Sequence, residues 1–263
     1  MSQITPAPNL TMPEPLQIIF LVAAALAVLG FLIYSVKLSR KLNSAIPVLL
    51  VIAGFCAIPM ETIVTYLGHA VHPQTGNIAL FSAVDRIIPW HIALGYTVGF
   101  GLLYLLLWLR FIAGKITPLY IYTSCVITVL SYQVFETAGV STGLWAYYDP
   151  QPVWLLHFTA PLTWSFLNAA SMVWPAALII FLLPYLTGVK RVLIPVLSPV
   201  GAYMGHMGAG WPMYNIMNSG ASPLVMQLSG VAAILLSVFI WWLAVLLIMI
   251  RLPEVAGARQ SFL

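Results

Sequence analysis

The chain has 263 residues, of which 62% are hydrophobic and only 6% charged, with a mean hydropathy of +1.00. Soluble domains carry about a quarter charged residues, so this composition excludes a soluble globular protein and indicates an integral membrane protein. The net charge of +4 is spread over short loops, which offers nucleic acid no basic patch.

Residues 1–14 are polar and contain prolines, and are expected to be a flexible segment without a cleavable signal peptide. Seven apolar stretches follow near 16–36, 45–67, 87–109, 118–138, 158–186, 192–212 and 223–250. Each is long enough to cross about 30 Å of hydrocarbon as a helix. The expected fold is therefore all-α: a bundle of seven transmembrane helices in one domain over 15–251, with a short tail at 252–263. Cys56 and Cys125 both lie in apolar runs and read as small buried hydrophobes rather than as a thiol site.

Orientation follows from the loops. Lys37, Arg40, Lys41, Arg110, Lys115, Lys190, Arg191, Arg251 and Arg259 all fall on one side of a seven-span arrangement, and Arg86 alone falls on the other. The positive-inside rule makes the basic side cytoplasmic, with the N-terminus outside and the C-terminus inside. A bacterial cytoplasmic membrane is the expected location. Polar side chains then collect in the outer third, among them Glu61, His69, His72, Asp85, His91, Glu136, Asp149, His157, His206, Asn215 and Asn218. Any chemistry or binding faces outward.

Two carboxylates dominate. Glu61 follows Pro59 within the second apolar run, and Glu136 stands at the matching end of the fourth. An ionisable group in hydrocarbon costs several kcal/mol, so each marks a functional site or a polar contact between helices. Thr65 lies one turn beyond Glu61, and Tyr132 and Gln133 precede Glu136 on the same helix. The two surroundings echo each other: Glu-Thr recurs, a glycine follows seven residues after each Glu (Gly68, Gly143), and Pro-Gln comes later in both (Pro73-Gln74, Pro150-Gln151). Duplication and coincidence both account for matches this short.

Asp85 is a candidate second acid or base, or half of an interfacial ion pair with Arg86. Arg86 could in turn pair with either Glu or with an oxygen-rich substrate. His206, inside the sixth span, reads as a proton shuttle or a structural hydrogen-bonding residue. Trp90, His91, Tyr132, Trp164, Asn168, Trp211 and Asn215 are candidates for binding a substrate. An interfacial belt explains the outer aromatics equally well, while a pocket would use their faces for an apolar chain or a developing cation. The histidines lack metal-ligand spacing, and no cofactor fingerprint occurs. Gly95-x-x-x-Gly99 and Gly201-x-x-x-Gly205 read as sites of close helix packing. The last span contains no Lys, which rules out a retinal Schiff base there.

Two blocks carry a family resemblance. One runs from Glu61-Thr62-Ile63-Val64-Thr65-Tyr66-Leu67-Gly68 through His72-Pro73-Gln74 to Arg86-Ile87-Ile88-Pro89-Trp90 and Leu94-Gly95-Tyr96. The other runs from Glu136 through Gly143-Leu144-Trp145-Ala146-Tyr147-Tyr148 and Trp164-Ser165-Phe166-Leu167-Asn168-Ala169 to Gly210-Trp211-Pro212-Met213-Tyr214-Asn215 and Asn218-Ser219. They resemble actinobacterial multispan proteins related to the spirocyclase of avermectin biosynthesis. Membrane-bound terpene cyclases are a neighbouring comparison. The resemblance implies a redox-neutral, membrane-embedded cyclase without a cofactor, acting on a lipophilic small molecule among membrane lipids. From the residues themselves, Glu61, Glu136, Asp85 and His206 are the candidate catalytic groups. A proton-coupled transporter or lipid-binding protein using the same Glu pair is the alternative, and a structural subunit bound to a protein partner is a third.

Overall fold

The computed structural model describes residues 6–155 and 158–258; His157 and Arg259 lie outside the described residues. Eight α-helices account for most of the chain: α1 (Glu14–Leu42), α2 (Ile46–Cys56), α3 (Met60–Leu67), α4 (Trp90–Ile112), α5 (Pro118–Ser141), α6 (Leu162–Leu182), α7 (Ile194–Met217) and α8 (Pro223–Ala258). Seven helical stretches are long and apolar enough to span a membrane, with α2 and α3 forming one of them. The expected all-α, seven-span bundle is the architecture observed. The last helix continues to Ala258, so the first residues of the expected tail extend its final turns.

The second span is broken rather than continuous. Pro59 has no N–H to donate, and the chain passes it through tight turns. Met60 N–H donates to Ala57 O at 3.2 Å and Glu61 N–H to Ile58 O at 2.9 Å. The Pro59 carbonyl accepts from Thr62 Oγ1 at 3.0 Å and from Tyr203 of α7 at 2.9 Å. Glu61 is thereby set in the first turn of a new helix, where the helix dipole favours a carboxylate.

The third span starts later than the apolar run. Arg86–Pro89 form a strand, β3, that pairs antiparallel with β2 (Ala79–Ala83). Ile87 and Ile88 are β-branched, and the proline after Ile88 disfavours helix there. Two further short strands, β1 (Ala70–Val71) and β4 (Ala146–Tyr147), also pair antiparallel. All four strands lie at the end of the bundle opposite the basic loops. The N-terminal segment is tied to that end, which corrects the expected flexibility for residues 10–13. Leu10 O accepts from Gln74 N–H and Thr75 N–H, and Met12 N–H donates to Thr75 O. Met12 is buried, and Gln17 at the start of α1 bonds Gly76 O and Ile78 N–H.

Helix α6 is the most buried span and α1 the most lipid-exposed. Between helices in lipid, contact rests on close packing rather than on the hydrophobic effect. A Cβ on Gly205 would lie 2.5 Å from the Ala170 carbonyl, and one on Gly201 would lie 2.6 Å from Pro175. That pair does join α7 to α6. Gly95 and Gly99 behave differently. Nothing stands within 4 Å of a Cβ on Gly95, while one on Gly99 would meet the Tyr132 hydroxyl at 3.2 Å, and both glycines line a cavity. The close approach of α4 to α2 uses Gly54, whose added Cβ would meet Thr97 O at 2.6 Å.

Candidate active site

The cavity has a volume of about 510 Å³ and lies between α1, α3, α4, α5 and α6, at the strand-bearing end of the bundle. Its wall is mostly apolar: Phe20, Ala24 and Ala27 come from α1, Ile92, Gly95 and Gly99 from α4, and Phe135 from α5. Glu61 and Glu136 both open onto it. The fold thus brings together two glutamates 75 positions apart in the chain.

Every oxygen of both carboxyls has a partner. Glu61 Oε1 lies 2.9 Å from His72 Nε2, and Oε2 accepts from the Tyr96 hydroxyl. Glu136 Oε2 accepts from Trp145 Nε1–H and from the Tyr147 hydroxyl, both at 2.8 Å, and Oε1 accepts from Asn168 Nδ2 at 3.3 Å. Burial, followed by the neighbouring Glu136 carboxyl, pushes the Tyr147 hydroxyl well above the usual phenol range, so it stays a donor. Fully satisfied networks of this kind are rigid, because each member holds its neighbours in place. The two glutamates differ in one respect: Glu61 pairs with an imidazole, which can carry a proton in either direction, whereas Glu136 meets neutral donors only.

Two cavity-lining histidines each keep a buried ring nitrogen without a hydrogen-bond partner among the described residues, His72 Nδ1 and His91 Nε2.

Of the residues assigned from the sequence to catalysis or substrate binding, Glu61, Glu136, His91, Tyr132, Trp164 and Asn168 line the cavity, and Asp85, Arg86, Trp90, His206, Trp211 and Asn215 do not. Asp85 is exposed at the tip of the β2–β3 hairpin, in left-handed backbone with φ of 53°. Arg86 is buried, but it pairs with neither glutamate. Its guanidinium donates to Ala70 O at 3.1 Å, Asp85 O at 3.0 Å and the Tyr148 hydroxyl at 2.6 Å, and it lies over the Tyr66 and Tyr148 rings. It clamps the paired strands. His206 is shut away behind Trp164, edge-on to that ring at 6.0 Å, with Nε2 2.8 Å from the Tyr214 hydroxyl. Trp90 stands at the surface, as do Trp211 and Asn215 on the outside of α7.

His72, Tyr96, Trp145 and Tyr147 are the functional side chains that sequence reasoning left out of the site. A signal for two of them was present: His72 and Tyr147 each follow their glutamate by eleven residues. Among the described residues, no three His, Cys, Asp or Glu side chains converge as a metal centre would require. Comparison with protein-family models, curated proteins and solved structures finds no match to this chain.

Proposed function

We propose that the protein is a redox-neutral cyclase or isomerase that closes a ring in a lipophilic substrate by acid–base catalysis within the membrane. The observation that carries this reading is the pair of hydrogen-bonded glutamates on one largely apolar cavity. Glu136 is the proton donor: its Oε1 meets only Asn168, at 3.3 Å, and is the oxygen free to hold a proton towards the cavity. That proton activates an electrophile such as an epoxide, an alkene or a ketone, each of which closes a ring without losing a group. A hydroxyl or alkene of the same molecule attacks, the ring closes, and the proton it releases passes to the Glu61–His72 pair. Return of that proton to Glu136 resets the site, with no net oxidation and no group lost. Apolar walls exclude the water that would compete for the activated carbon.

Two further features support catalysis over transport. Beneath the cavity, α4 presents Phe100, Tyr104, Leu107 and Trp108, all fully buried, as a plug rather than a polar route. The resemblance of the Glu61 and Glu136 blocks to membrane spirocyclases points the same way. By the positive-inside rule the site faces the outer side of a bacterial cytoplasmic membrane.

The test is mass spectrometry of lipophilic compounds extracted with the protein, wild type beside a Glu61→Gln, Glu136→Gln double variant. A precursor accumulating in the variant, with an isomer of equal mass in the wild type, is the expected result. Identical profiles from two folded proteins would overturn the reading.

A further inference from the structure

The two glutamates occupy equivalent places in two copies of one helix–strand–helix unit. Val71 and Ala146, each ten residues after its glutamate, pair with each other, and Ala70 pairs with Tyr147 beside them. This centres the β1–β4 pairing on matching positions, as a local two-fold axis requires. The carboxyls obey the same relation. Glu61 bonds His72 and Glu136 bonds Tyr147, in both cases eleven residues on. Each returning helix begins directly after a proline, Pro89 for α4 and Pro161 for α6. In each, the seventh residue after that proline, Tyr96 or Asn168, supplies a second hydrogen bond to the unit's own glutamate. Strand pairing and carboxyl partners agree on one register counted from the glutamates, while the returning helices match when counted from their prolines, the connection being three residues longer in the first unit.

We infer that the cavity is a pair of equivalent polar stations, and that its ligand is an apolar molecule carrying two separate oxygen functions, one for each glutamate. Apart from the two stations the wall is mainly Phe, Ala, Ile, Val and Gly, with Thr65, Ser131 and Tyr132 as its hydroxyls, which suits a largely hydrocarbon skeleton. The copies have diverged where their chemistry differs: His72 stands where the second unit has Tyr147, so only one station exchanges protons through an imidazole. This inference rests on the cavity assigned above and specifies its substrate class.

The experiment is calorimetric binding to the protein in nanodiscs, with empty nanodiscs as the blank. The probes are a medium-chain α,ω-diol and the primary alcohol of equal chain length. A hydrogen bond to a charged group contributes about 1.5–3 kcal/mol, so the diol should bind about tenfold tighter than the alcohol. In Glu61→Met and in Glu136→Met alike, the diol should fall to the alcohol's affinity. Tyr96→Phe and Asn168→Leu, which keep both carboxyls, provide a milder weakening of each station should the Met variants fail to fold. Equal binding of diol and alcohol by the wild type would overturn the inference. So would a result in which substitutions at one station alone affect the diol. The probes contain nothing to cyclise. A diol preference alongside unchanged lipid extracts in the Gln variants would keep the two stations and remove the cyclase, and the opposite pattern would do the reverse.

Discussion

Tyr147 and Trp145 show how much of a glutamate's chemistry is set by its neighbours. Both donate to the same oxygen of Glu136 at 2.8 Å, leaving the other oxygen to face the ligand. Tyr147→Phe removes one of these bonds without changing the ring, and should slow turnover about tenfold or more, since the carboxylate left when Glu136 gives up its proton loses a hydrogen bond to a charged group, about 1.5–3 kcal/mol. Asp85→Asn, at the exposed hairpin tip, should leave turnover unchanged. The comparison is read in isomer yield per mole of purified protein, and equal losses in the two variants would contradict the assignment of the site. Arg86 illustrates the converse. A cation in a chain with two intramembrane carboxyls invites an ion-pair reading, yet the donors of the buried Arg86 are taken by two backbone carbonyls and a tyrosine.

At the scale of elements, the interruption at Pro59 is what aims Glu61. Tight turns between α2 and α3 rotate the carboxylate towards His72 and Tyr96. Pro59→Ala allows the two helices to join with ordinary α-helical hydrogen bonds. The expected outcome is a protein at least as resistant to heat as the wild type, with turnover reduced by roughly tenfold or more as the Glu61–His72 bond is lost. Thermal unfolding and isomer yield measured on one preparation decide it, and unchanged yield would count against the kink. Gly139 plays the matching part on α5. A Cβ there would lie 2.0 Å from the Trp145 ring. Gly139→Ala must therefore displace the indole that donates to Glu136, and overpacking of this kind costs about 1–3 kcal/mol. A drop in both melting temperature and yield is expected, with a blue or red shift in Trp fluorescence reporting the moved ring.

Across the whole molecule, the described basic residues other than Arg86 and the cavity sit at opposite ends. Lys37, Arg40, Arg110, Lys115 and Lys190 mark one end, while Asp85 and the strands mark the other. With Cys56 and Cys125 replaced by alanine, an Asp85→Cys variant should react with a membrane-impermeant maleimide in intact cells. A Lys115→Cys variant should react only after permeabilisation. The reverse pattern would place the cavity on the cytoplasmic side. A cavity bounded by the lightly packed α1 is well placed to receive molecules that partition into the bilayer.

Some of this was written in the chain itself. Seven apolar stretches, their alternating basic loops and the two glutamates are local properties, because span length and the cost of a charge in hydrocarbon depend only on nearby residues. The close packing of Gly201 and Gly205 was legible for the same reason. The site was legible only in part. Helix order around the bundle and the pairing of β1 with β4 are contacts between distant segments, and they alone decided that Glu61 and Glu136 share a cavity. They also decided that His72, Tyr96, Trp145 and Tyr147 hold the carboxyls while His206 and Asp85 do not. A histidine in a span and a histidine in a loop look alike in sequence. What separates them is which wall they face, and that is set by tertiary packing, where the hydrogen-bonding needs of buried groups are met by residues far along the chain.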